Sequence, residues 1–182
     1  MNRRSSPRPF KIALFNWLLL LSIVTVLGFA AAGCVAHKKF VCGSASMSPT
    51  INPGQVILTK PFHPRQDILQ RYDIVAFHSP VNTQKVWVMR VVALPREQVL
   101  ISTNALFING VEAETNQMPQ VLIRGNWLTP QLLESGVPRQ WSVKKDEVFV
   151  VGDNLNTSND SRFWGPLKLS QIVGVVMKVK GS

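Results

Sequence analysis

The run VWVMRVVALP, from Val86 to Pro95, decides the fold class: four valines and a tryptophan fall within Val86 to Val92, and a proline follows the run at Pro95. β-Branched and aromatic side chains fit a pleated surface better than a helix, so the segment reads as a strand. Similar short runs recur on either side of it, at Gln55 to Leu58, Asp73 to Phe77 and Glu147 to Val151, set apart by Gly, Pro and Asn. Val99 to Gly110 divides into VLIS, Thr103-Asn104 and ALFI, which is a hairpin pattern, and Asn109-Gly110 marks a further turn before Val111. From Glu112 to Lys145 the chain is polar and punctuated by Pro and Gly. Residues of about 101–146 are therefore expected to leave the sheet scaffold as a variable excursion, with a short helix near Pro130 to Ser135. The expectation is a mainly β, antiparallel domain over residues 37–182.

Residues 12–36 follow a different rule. From Ile12 to Ala36 no side chain is charged, about the length a helix needs to cross a hydrocarbon core of ~30 Å. One N-terminal transmembrane helix is expected there. Arg3, Arg4, Arg8 and Lys11 precede it, while only Lys38 and Lys39 follow closely. The positive-inside bias then gives a single-pass membrane protein, with residues 1–11 as a cytoplasmic tail and residues 37–182 as an extracytoplasmic domain. Two alternatives stay open: a cleaved secretory signal ending in the small residues Ala30 to Gly33, and lipid attachment at Cys34 after Ala-Ala-Gly.

A length of 182 residues suits one compact domain plus an appendage. The net charge of +10 and pI near 10.2 come from scattered basic residues with no nucleic-acid motif, so an anionic membrane surface is the simpler partner and no nucleic acid is expected. Cys34 and Cys42 are the only cysteines, and His37, His63 and His78 sit in unrelated contexts, so neither a metal nor another cofactor is implied.

The chemistry is concentrated in two other segments. In Ser44-Ala45-Ser46-Met47-Ser48-Pro49-Thr50, Pro49 restricts Ser48 to extended backbone, and Gly43 permits unusual backbone just upstream. Such a stretch can present the Ser46 hydroxyl rigidly, although it is also what an ordinary turn looks like. Gly152-Asp153-Asn154 reads as a tight turn and continues into Ser158-Asn159-Asp160-Ser161-Arg162-Phe163-Trp164-Gly165. Together with Tyr72-Asp73-Ile74-Val75-Ala76-Phe77 and Arg90-Val91-Val92-Ala93-Leu94-Pro95, these segments resemble the signature boxes of type I signal peptidases. Those are membrane-anchored serine endopeptidases that remove signal peptides with a Ser nucleophile and a Lys base. The resemblance runs from the apolar segment to Gly174 and implies a signal-peptidase-type β-sheet domain.

The resemblance also implies roles. Ser46 would be the nucleophile, with its own N–H and the Ser44 hydroxyl stabilising the oxyanion. Met47 and Ile51 would line the pocket for the small residue before the scissile bond. An extended peptide would add as a strand between Phe40 to Ser44 and Lys85 to Val88, in contact with Phe40, Cys42, Trp87 and Val88. Ser158 would orient the base, and Asp160, Arg162 and Arg90 would form a supporting charged network. The family's Lys immediately precedes the Arg of the Arg-Val-Val-x-Leu-Pro run, and Met89 stands at that position. A thioether exchanges no proton in the relevant range. Lys85 lies roughly 13 Å back along a strand at ~3.3 Å per residue, and Lys144 and Lys145 are the other amines to consider. The chain departs from the family again at Tyr72, in place of a common Gly, and at Arg96-Glu97, in place of Gly-Asp.

Two functions follow. One is a signal peptidase I-like serine endopeptidase cleaving signal peptides from exported preproteins, with its base in question. The other is a catalytically inactive homologue that binds extended peptides or assists assembly of exported proteins. A peptidase dedicated to a conjugation or pilus system is a narrower third. The expected partners are signal peptides and the lipid bilayer.

Overall fold

Valines on both faces of a strand need apolar partners on both sides, and the fold supplies them with two sheets. The computed structural model describes residues 36–113, 119–123 and 125–181. Its strands, in chain order, are β1 (Lys38–Val41), β2 (Val56–Pro61), β3 (Ile74–His78), β4 (Val86–Ala93), β5 (Gln98–Ile101), β6 (Leu106–Ile108), β7 (Val111–Glu112), β8 (Gln140–Ser142), β9 (Glu147–Val151), β10 (Leu167–Lys168) and β11 (Ile172–Lys180). Seven form one sheet in the order β1-β2-β11-β3-β4-β9-β10, and four form a second in the order β7-β6-β5-β8. Every pairing is antiparallel, as expected.

β4 and β9 serve both cores. Met89 and Val91 of β4, with Val148 and Val150 of β9, face one buried cluster together with Val75, Phe77 and Ile57. Val92 and Ala93, with Phe149 and Val151, face a second cluster formed with the smaller sheet. The register shift between Val91 and Ala93 marks the change. This two-sided burial is why VWVMRVV and EVFVV read as near-continuous apolar runs instead of alternating ones.

The excursion is more than a decoration on one sheet. Its strands complete the four-stranded sheet, and its Leu122, Trp127 and Leu128 enter the second core. The polar sequence between 112 and 145 concealed this because few side chains carry the burial, with Trp127 only 1% exposed. The hairpin of β5 and β6 forms as expected, and Asn109 and Gly110, at φ of 54° and 79°, turn the chain into β7. Three short helices follow in chain order, α1 (Gln120–Ile123), α2 (Pro130–Glu134) and α3 (Ser161–Trp164). In α2, Thr129 caps the N-terminus and Pro130 takes the first turn, where its missing N–H costs nothing.

The expected membrane segment lies outside the described residues except for Ala36. Among the described residues, no helix is long and apolar enough to cross a membrane.

Candidate active site

The serine segment is a tight loop between β1 and β2, held at both ends. Cys42 and Gln55 close its base through Cys42 N–H to Gln55 O at 2.9 Å and Gly54 N–H to Cys42 O at 2.8 Å. Within it, Ile51 N–H donates to Met47 O at 2.9 Å, a single helical turn that points both side chains inward. Met47 and Ile51, expected to line a substrate pocket, are both fully buried in the core, and neither lines the groove described below. A four-residue spacing closed by a helical turn sends both side chains to the same face, and here that face is the interior. The opposite face carries the serines. The Ser44 and Ser46 hydroxyls lie 2.9 Å apart, within hydrogen-bond distance.

The turn after β9 grips this loop from the other side. Asn154 N–H donates to Ser46 O at 2.9 Å, and the Asn154 side-chain amide donates to Ala45 O at 3.3 Å. Asp153 accepts from the Thr50 hydroxyl and is paired twice with Arg90, Nε to Oδ1 at 2.8 Å and Nη2 to Oδ2 at 2.6 Å. Arg90 also donates to Tyr72 O at 2.9 Å. Asp153 is 2% exposed, so this pair is screened from water. Arg90 therefore does not join the Asp160–Arg162 network expected from sequence. The two charged pairs are separate, because β4 carries Arg90 to the turn at Asp153, whereas Asp160 and Arg162 lie beyond it on the approach to α3.

That second pair is entirely buried. Asp160 accepts from Arg162 Nε at 2.8 Å and Nη2 at 2.9 Å, from Gly152 N–H at 3.1 Å, and from Arg162 N–H at 3.2 Å as the cap of α3. Arg162 spends its remaining donors on Leu155 O at 2.7 Å and Trp127 O at 3.3 Å. Its guanidinium thus ties the turn after β9 to the second core. Charges this deep are tolerated only with every partner in place.

Beside the serines a groove of about 560 Å³ runs between β1 and the first half of β4. Phe40, Cys42, Trp87 and Val88 line it, as do Ser44, Ser46, Lys85 and Met89. β9 pairs with β4 only from Arg90 onward, so the edge from Val86 to Met89 is open on that side, and β1 ends its sheet. Four antiparallel pairings separate β1 from β4, so the two open edges run in the same direction.

Residues 14–179 match the family described as signal peptidase, peptidase S26. The chain belongs to the signal peptidase family. Signal peptidase I V of Bacillus subtilis is 32% identical over 162 residues, covering 88% of this chain and 95% of the relative. Signal peptidase I of Bacillus caldolyticus is 28% identical over 163 residues, covering 88% and 85%. A solved signal peptidase I from Enterococcus faecalis has 30% identity and a TM-score of 0.47, covering 61% of this chain and 98% of that one.

The signal peptidase sequence pattern had set Asp160, Arg162 and Ser158 apart but had left Asp153 and Asn154 as turn residues. Their grip on the serine loop was foreshadowed only by the Gly-Asp-Asn text itself. One buried group in this signal peptidase homologue has no partner: among the described residues, the Ser158 hydroxyl makes no hydrogen bond. Its surroundings are specific. A side chain on Gly152 would collide with the Ser158 hydroxyl and the Ser46 carbonyl, so the three meet at one point. Carried one step beyond its last pair, Arg90 with Val151, the register of β4 and β9 would set Met89 opposite Gly152. Met89 is 3% exposed. Lys144 lies within 4.0 Å of Glu147 and does not line the groove, nor does Lys145.

Proposed function

We propose that this member of the signal peptidase family binds the extended segment of an exported protein's signal peptide in the groove between β1 and β4, and that Ser46 there lacks a general base. The observation that carries this reading is the orphaned Ser158 hydroxyl beside the Met89 position. A buried hydroxyl without a partner costs about 1–3 kcal/mol. An amine at position 89 would satisfy it, and a thioether does not. The open, co-directional edges support main-chain recognition of an extended peptide, with alternate side chains entering the groove. Family membership supports signal peptides as the class bound. The anchor over residues 12–36 would hold the groove at the extracytoplasmic membrane face.

A second reading, an active endopeptidase with Ser46 as nucleophile and Ser44 at the oxyanion, is favoured by the 2.9 Å approach of the two hydroxyls and by Lys85 lining the same groove. The test is cleavage of a preprotein with an Ala-x-Ala site by the detergent-solubilised full chain. The unmodified chain is expected to leave the preprotein intact. Met89→Lys is expected to cleave it about 10²-fold faster or more, the usual worth of a positioned base. Adding Ser46→Ala should abolish that gain. Cleavage by the unmodified chain that is lost in Ser46→Ala would sink the reading and point to another base.

A further inference from the structure

Among the described residues, the groove beside Ser46 has a single charged side chain in its lining, that of Lys85. The other lining groups are apolar, hydroxyl, amide, thiol or thioether. Lys85 is exposed and joins no ion pair among the described residues. Neither edge of the groove supplies it with a partner, since the chain has no Asp or Glu from His37 to Gln66 or from Ile74 to Arg96. The groove therefore carries one uncompensated positive charge.

Its position is fixed by the turn between β3 and β4. Lys85 N–H donates to Asn82 O and Ser79 N–H donates to Lys85 O, both at 2.9 Å, which extends the β3–β4 ladder one residue ahead of Val86. Both main-chain groups of Lys85 are taken up by this turn. A peptide lying along the open edge of β4 is thus met at this point by the side chain alone. Alternation along the strand puts that side chain on the face of Trp87 and Met89, which also line the groove. Lys85 precedes Met89 by four residues, so it stands roughly 13 Å up the strand at ~3.3 Å per residue, at the end of the groove away from the serines.

We propose that Lys85 is a specificity-determining residue, favouring peptides with an acidic side chain about four residues before the one seated at Ser46. The inference rests on the reading that the groove binds the extended segment of a signal peptide, and it adds what that segment carries. The count follows from strand geometry, because a guest strand beside β4 advances by the same ~3.3 Å per residue and its fourth residue back reaches Lys85. A carboxylate at that point pairs with the ammonium group, and a lysine meets a like charge. At a mouth open to solvent such a pair changes affinity by no more than about fivefold. Lys85 is then a filter among peptides, and main-chain pairing supplies the common affinity. The preference is independent of whether Ser46 cleaves anything.

The experiment measures binding of three fluorescent peptides to the full chain in nonionic detergent at low salt. All three contain one Ala-x-Ala site, and they carry Asp, Asn or Lys four residues before its last Ala. The Asp peptide is expected to bind about two- to fivefold tighter than the Asn peptide and the Lys peptide more weakly than both, with the differences shrinking at high salt. Lys85→Glu should reverse the order, and Lys85→Gln should flatten it. Lys144→Glu makes the same change of net charge away from the groove and should keep it. Equal binding of the three peptides to the unmodified chain would overturn this inference and leave peptide binding in the groove standing. An unchanged order in Lys85→Glu would overturn it too, because another cation would then set the preference. Binding of none of the three would remove the reading of the groove, and this inference with it.

Discussion

At the scale of single residues, the site is organised around groups too small or too apolar for what surrounds them. The Ser158 hydroxyl is buried without a partner among the described residues, so Ser158→Ala is expected to raise stability by about 1 kcal/mol in chemical denaturation. In a Met89→Lys background the hydroxyl gains an amine to hold, and the same alanine substitution should instead slow cleavage. That reversal of sign separates a residue that orients a base from one that merely fills space. Two other residues stand where the family commonly has glycine, and the backbone explains the glycine: Tyr72 and Arg96 both have φ of 72°. The left-handed region costs a non-glycine residue roughly 1–2 kcal/mol, and glycine returns part of that as unfolded-state entropy. Arg96 is exposed. Arg96→Gly should therefore be more stable than Arg96→Ala by up to about 1 kcal/mol, with equal values for the two variants arguing against strain at this turn.

At the scale of elements, the turn after β9 does the most joining. It holds the serine loop through Asn154 and Asp153, reaches β4 through Arg90, and is fastened from behind by the Asp160–Arg162 pair. Arg162→Met strands Asp160 as a buried charge and is expected to cost 3–5 kcal/mol, the range for breaking a buried pair. A loss below 1 kcal/mol in denaturant titration would mean that water reaches Asp160. The strands around this turn were readable in the sequence because β4, β9 and β3 are dense in β-branched and aromatic residues, and local composition is what strand propensity records. The second sheet was not readable as such. β7 and β8 are two and three residues long, and no periodic signal can build up over so few positions. The separation of Arg90 from Asp160 was equally hidden, since both charges sit in quoted motifs and only the path of β4 decides which carboxylate Arg90 meets. Trp127 tests the excursion's place in the core. Trp127→Ala is expected to cost 3–5 kcal/mol, as for a well-packed buried aromatic and unlike a residue on a loose surface loop.

At the scale of the whole molecule, the large sheet stops short of closing, with β1 at one end and the open half of β4 across the groove from it. Both edges run in one direction, so a single extended chain lying between them would pair with both in the same sense. A bound peptide would turn β1, β2, β11, β3 and β4 into a hoop with the guest as its sixth stave. Among the described residues, the two edges then carry unpaired rows of backbone donors and acceptors, the kind of surface that invites pairing with the wrong chain. Saturation with an extended Ala-x-Ala peptide at 100 times its dissociation constant is expected to stabilise the fold by about 2.7 kcal/mol, and amide exchange near Phe40 and Trp87 should slow with it. A signal peptide held in this way would act for as long as it stayed as a temporary piece of the host's own architecture.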